Sequence, residues 1–214
     1  MLLVQLALVG TKNYRTHRKV GLSILVVAPL LVASATVLSV ESAAKGLASG
    51  DGDFMIVQNV MGTLQLALMI ILAFALRKNR KLHASFLVST ALLFIGIAMF
   101  FSLIGFVPGF RIEGPETFYR FGKALTTIQY ASIAIGLLFF VGSPKNNWPF
   151  LLVGSFFLFN ELVKSFLTQQ DLIHPLTAAV ASANPLAAFM AAFFAIGLLL
   201  TATGILKTRT RPLA

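Results

Sequence analysis

The sequence predicts an all-α fold, a polytopic transmembrane helix bundle of six complete spans plus a partial N-terminal helix, forming a single membrane domain. Three observations lead there. Only 11% of the 214 residues are charged and 57% are hydrophobic, whereas a soluble domain carries about a quarter charged residues and could not hide so much apolar surface in one core. Apolar runs of roughly 18 to 24 residues recur, and about 20 helical residues cross a bilayer. The cations fall between these runs and concentrate in every second connecting segment. Transmembrane strands would be shorter and would alternate in polarity.

The elements follow in order. Met1–Gly10 is apolar but would reach only about 15 Å as helix, half a bilayer. No basic segment precedes it and no small-residue cleavage site follows, so a signal peptide is not expected; the end of a span whose start lies upstream is preferred over an interfacial or half-inserted helix. Complete spans are expected at Val20–Val40, Phe54–Leu76, Ala84–Val107, Ala124–Val141, Trp148–Leu167 and Leu186–Leu206. Pro29 falls inside the first of these and should kink it, while Pro149 and Pro185 suit first helical turns. Tyr14, Tyr119 and Trp148 stand near span ends, where aromatic belts form.

Orientation is read from Lys and Arg. Twelve of them (Lys12, Arg15, Arg18, Lys19, Arg77, Lys78, Arg80, Lys81, Lys145, Lys207, Arg209 and Arg211) fall on one side of the bundle. Only Lys45, Arg111, Arg120 and Lys123 fall on the other, with six of the seven acids. The twelve-cation side is therefore expected to be cytoplasmic, with the C-terminus, in a bacterial inner membrane. Its partners would be the bilayer and the anionic lipids of that face. This distribution accounts for the net charge of +10 without nucleic acid. A membrane-protein partner or a homo-oligomer is left open.

No cysteine is present, which excludes disulfides, thiolate ligands, Fe–S clusters and a cysteine nucleophile. No phosphate-cradling Gly-rich loop, paired-carboxylate site or nucleophile triad is found, so the sequence leans away from an enzyme.

Four groups of polar residues need explaining. His17 and His83 each follow a basic cluster at the start of a span, 66 residues apart. Beside a helix N-terminus and neighbouring cations the neutral imidazole is favoured, the form that ligates metals and heme iron. Nearby Arg and Lys would suit heme propionates, and equally lipid phosphates if the histidines are only interface residues. Glu161 and Lys164 lie three apart on one helix face in the outer part of a span, where an ionisable group is a functional hypothesis by default; the alternative is a structural pair whose lysine snorkels outward. Asp171 and His174 stand in an outer segment, close enough in sequence to hydrogen-bond, as a metal or proton site or as ordinary loop residues. Finally, polar or small stripes run along Gln58, Gly62 and Gln65, along Ser85, Ser89 and Gly96, along Gly197, Thr201 and Gly204, and along Thr126, Gln129 and Tyr130. Helix packing explains them more readily than a polar cavity.

The segment His17-Arg18-x-x-Gly21, after a short apolar helix, and the later basic cluster with His83 resemble the helix starts of a group of small bacterial multi-helix inner-membrane proteins. Those are distantly similar to b-type membrane cytochromes and oxidase-assembly proteins. The resemblance covers about the first half of the chain and implies a heme b or metal link through His17 and His83. Ala84-Ser85-Phe86 departs from the basic residue and methionine that tend to follow the second histidine in that group.

Three functional classes follow: a heme- or metal-associated accessory protein of the respiratory membrane using His17 and His83; a small transporter or ion-coupled carrier using Glu161 and Lys164; and a structural subunit without chemistry. A Soret band in the purified protein would settle the first.

Overall fold

The computed structural model describes residues 2–50 and 53–205; Asp51, Lys207, Arg209 and Arg211 lie outside them. The described residues form ten α-helices and one 3-10 turn, and no strand. Five helical segments are long and apolar enough to cross a membrane: Arg15–Ser49, Ile56–Ala75, Arg80–Phe106, Pro115–Gly142 and Pro185–Thr203. Pro144–Gly154 and Phe156–Gln169 meet at a 41° bend and make a sixth if they count as one span. The described chain divides into two compact units, one comprising residues up to Leu76 and those from Val163 onward, the other Arg77–Leu162.

In the first unit lie α1 (Leu2–Gly10), α2 (Tyr14–Leu22), α3 (Ile24–Ser49), α4 (Ile56–Ala75), the end of α8 (Phe156–Gln169), α9 (Ile173–Ala181) and α10 (Pro185–Ile205). The central helix is α3, which packs on α4, α9 and α10. Its buried face is small: Ala28, Pro29, Val32, Ala33, Ser39, Val40 and Ala43. Small residues let helix backbones approach where lipid supplies no hydrophobic drive. Pro29 sits in this face, inside a single assigned helix. Polar contacts join α3 to α4: the Asn59 amide donates to Ser42 Oγ at 3.2 Å, and the Ser39 and Thr63 hydroxyls lie 3.5 Å apart. Past its expected end at Val40, α3 runs on to Ser49 and stops at Gly50, whose φ of 79° is the left-handed cap that glycine adopts without strain. Glu41 and Lys45 are thus helical, one turn apart, rather than in a loop.

The second unit holds α5 (Arg80–Phe106), the 3-10 turn Pro115–Thr117, α6 (Tyr119–Gly142), α7 (Pro144–Gly154) and the start of α8. Here α6 and α7 cross at backbone contact. A Cβ on Gly136 would lie 2.7 Å from the Phe150 carbonyl oxygen, and one on Gly154 would lie 2.7 Å from that of Ser132. The inward face of α6 is Ala124, Ile128, Ser132 and Gly136, at a strict four-residue interval. Of the expected polar face Thr126, Gln129 and Tyr130, the first and last are exposed and Gln129 is half-buried. The Ser85–Ser89–Gly96 stripe of α5 is buried as packing surface: Ser85 donates to Asn147 at 3.1 Å, and Gly96 faces the Phe157 ring. Asn147 in turn donates to the Phe139 carbonyl at 2.9 Å, so this side chain ties together the starts of α5 and α7 and the end of α6.

Pro149 does not open its helix. Pro144 takes the first position and Pro149 lies buried inside α7. The expected Trp148–Leu167 span is therefore two helices, broken at Ser155 directly after the glycine pressed against α6. A Gly-Ser pair is a common site for such a break.

Candidate functional site

Three of the residues singled out by their chemistry meet at one cavity. It lies wholly within the first unit, where the end of α3, the start of α4, the end of α8 and the start of α9 converge, and it holds about 580 Å³. Lys164, Asp171 and His174 line it together with Asp53, Thr168 and Thr177. The apolar part of the wall includes Leu47, Phe54, Ile56, Val57 and Ile173. Beneath it Ala43, Ile56 and Val57 form a buried cluster against which Val163, Leu167, Ile173 and Leu176 pack.

Local sequence positions each group. The residues after Gly50 lead to Asp53, whose Oδ1 accepts the Met55 N–H at 2.9 Å and so shapes the entry into α4. Asp53 is only 6% exposed, with Oδ2 buried and lacking a hydrogen-bond partner among the described residues. At its C-terminus α8 closes in a Schellman turn: the Asp171 N–H donates to Thr168 O at 3.2 Å and the Leu172 N–H to Leu167 O at 2.8 Å. Asp171 takes the left-handed position with φ 55°, which glycine usually fills and Asp tolerates. The turn feeds straight into α9, so the outer segment is a short helix carrying His174 in its first turn. Thr177 is 1% exposed, with its hydroxyl donated to Ile173 O.

Asp171 and His174 share this wall without a hydrogen bond between them. Lys164 is half-buried and takes part in no ion pair among the described residues. Glu161 belongs to the second unit, is half-buried, and does not line the cavity. Asp53 is the member that sequence reading missed as a site residue. It was counted among loop acids, and only the turn at Gly50 and the packing of α9 show that it is enclosed.

His17 and His83 lie in different units, and their surroundings repeat. Asn13 and Asn79, also 66 residues apart, are the N-caps of α2 and α5, accepting from Thr16 and Leu82 N–H at 3.2 Å. His17 and His83 each occupy the fourth helical position, with backbone N–H groups donated to Asn13 O at 3.0 Å and Asn79 O at 2.9 Å. The internal periodicity is thus one of helix-start geometry as well as composition. His17 is further held by Gln5 of α1. With the Gln5 amide turned so that its donors meet acceptors, its oxygen accepts from Gly21 N–H at 2.7 Å, and its nitrogen donates to His17 O at 3.2 Å and to His17 Nδ1. With Nδ1 accepting, a neutral ring carries its proton on Nε2. No group of three or more His, Asp or Glu side chains is placed to hold a metal ion among the described residues.

No protein-family model, no curated protein and no solved structure matches this chain.

Proposed function

We propose that this chain is a six-span protein of a bacterial inner membrane, with its C-terminus in the cytoplasm, and that it is a small carrier whose binding site is the cavity between α3, α4, α8 and α9. One observation carries the reading: Lys164, Asp171 and His174 line it together with the buried Asp53. A cavity of about 580 Å³ with apolar walls and a few convergent polar groups has the size and make-up of a small-molecule site. A buried carboxylate oxygen is costly where nothing supplies it a hydrogen bond, and a bound ligand can supply one. Large apolar side chains exposed along the helices, among them Leu38, Phe101, Leu138 and Phe194, support placement in lipid.

A carrier must present its site to both sides of the membrane, and the chain has no cysteine of its own. Thr177→Cys, a near-isosteric change at a buried cavity position, is therefore expected to react with a membrane-impermeant maleimide added to either side of sealed proteoliposomes of uniform orientation. Labelling from one side alone would remove the carrier reading and leave a fixed binding site.

The orientation has its own test. A fluorescent-protein reporter fused after Arg211 should fold and fluoresce, and alkaline phosphatase fused after Gly50 should be active outside the cytoplasm, as the cation asymmetry requires. The reverse pair of results would invert the sidedness.

A further inference from the structure

We infer that the cavity recognises a zwitterionic ligand with an apolar body, its ammonium bound by Asp53 and its acidic group by Lys164; this rests on the cavity being a ligand site, as proposed above. The ammonium is indicated by Asp53. Its Oδ1 is engaged by the Met55 N–H, its Oδ2 is buried without a donor among the described residues, and the residue lines the cavity. Such an oxygen costs on the order of 1–3 kcal/mol, more when charged, unless something supplies a hydrogen bond. A group bearing N–H answers that need; a quaternary ammonium does not.

Lys164 indicates the acidic group. The residue is half-buried, lines the same cavity and has no ion-pair partner among the described residues. Asp53 and Lys164 are of opposite charge, yet they do not pair with each other. A ligand carrying both complementary charges would satisfy the two at once. Thr168 and Thr177 have already donated their hydroxyls to the helix carbonyls of Lys164 and Ile173, which leaves them as acceptors.

The walls and the volume argue for the apolar body. Leu47, Phe54, Ile56, Val57 and Ile173 offer the ligand no charge or polar side chain, and about 580 Å³ is far more than a bare ion fills. A free amphiphilic zwitterion and the headgroup of an amine-bearing phospholipid share the required chemistry.

The test uses the full chain in nanodiscs of phosphatidylglycerol, a lipid without an amine, and three probes of one shape. Phenylalanine carries both charges, 2-phenylethylamine the ammonium only and 3-phenylpropionate the acid only. By calorimetry, phenylalanine is expected to bind about tenfold more tightly than either single-charge probe, the worth of one charge-assisted hydrogen bond. Asp53→Asn keeps the oxygen that accepts the Met55 N–H, and should weaken phenylalanine and 2-phenylethylamine by at least about tenfold. Lys164→Gln, on a different helix, should bring phenylalanine down to the level of 2-phenylethylamine and leave the latter unweakened.

A second set of nanodiscs containing phosphatidylethanolamine separates the sources. Asp53-dependent competition by that lipid identifies a headgroup, and phenylalanine binding unchanged by it identifies a free solute. Equal binding of phenylalanine by the wild type and Asp53→Asn, or of phenylalanine and 3-phenylpropionate by the wild type, would overturn the inference. Either result would leave two-sided labelling of Thr177→Cys untouched, so the ligand assignment and the carrier reading fail separately.

Discussion

Replacing Gly154 with alanine is expected to destabilise the second unit by about 3 kcal/mol or more, the upper end for inserting a methyl group into packed surroundings. The added Cβ would meet the Ser132 carbonyl oxygen at 2.7 Å, and that obstacle is helix backbone that cannot rotate away. Gly136→Ala should behave alike, because its Cβ would meet the Phe150 carbonyl oxygen at 2.7 Å. Both changes force open the same α6–α7 crossing, so the double variant should lose less than the sum of the two. Gly122→Ala is the control. It is also on α6, but a Cβ there meets nothing within 4 Å, and alanine is the better helix former by up to about 1 kcal/mol. Thermal unfolding in mild detergent reads all four. A Gly154→Ala protein as stable as the Gly122→Ala one would mean that α6 and α7 do not meet as described.

Phe86→Ala is expected to cost about 3–5 kcal/mol, the range for emptying a fully buried aromatic site. Phe86 is 0% exposed and stands edge-on to Trp148, with ring centroids 5.0 Å apart. Beside it Ser85 donates to Asn147, so the helix starts that the ring separates are also pinned and cannot easily collapse into the space. In lipid the loss comes from contact and cavity terms rather than from transfer out of water. Trp148 is the only tryptophan in the chain, which supplies a second readout: losing its ring partner should alter its emission, whereas Phe86→Leu should alter it less. Phe101→Ala, at a side chain 61% exposed, should change stability by less than about 0.5 kcal/mol. Equal losses for Phe86→Ala and Phe101→Ala would contradict the packing of α5 against α7.

Helical content and the approximate helix positions follow from composition and run length alone, because a helix satisfies its own backbone and about 20 apolar residues match a bilayer whatever surrounds them. That logic places α4, α5, α6 and α10 within a few residues of their expected bounds. Helix ends are less legible where the apolar run and the hydrogen-bonded run differ. Nothing apolar marks the extension of α3 through Glu41 and Lys45 to Ser49, since two charges one turn apart are compatible with helix beyond the membrane. The caps Asn13, Asn79 and Asn184 emerge from the structure, each three residues before the N–H that it accepts.

Sequence by itself determined the material of this protein: an all-helical chain with segments of spanning length, its cations gathered in alternate connections, and a short roll of polar residues in need of a reason. Tertiary structure alone decided which of them act together. Lys164, Asp171 and His174 were individually visible, but their meeting with Asp53 depends on a Schellman turn at Asp171 and on α9 packing back against α3. The face of α6 that is buried is likewise Ala124, Ile128, Ser132 and Gly136, not the more polar Thr126 and Tyr130. The physical reason is common to both cases. In a membrane, hydrophobicity no longer distinguishes inside from outside, so burial is settled by which backbones can approach and which polar atoms can be enclosed, and those are properties of pairs of helices rather than of any one segment.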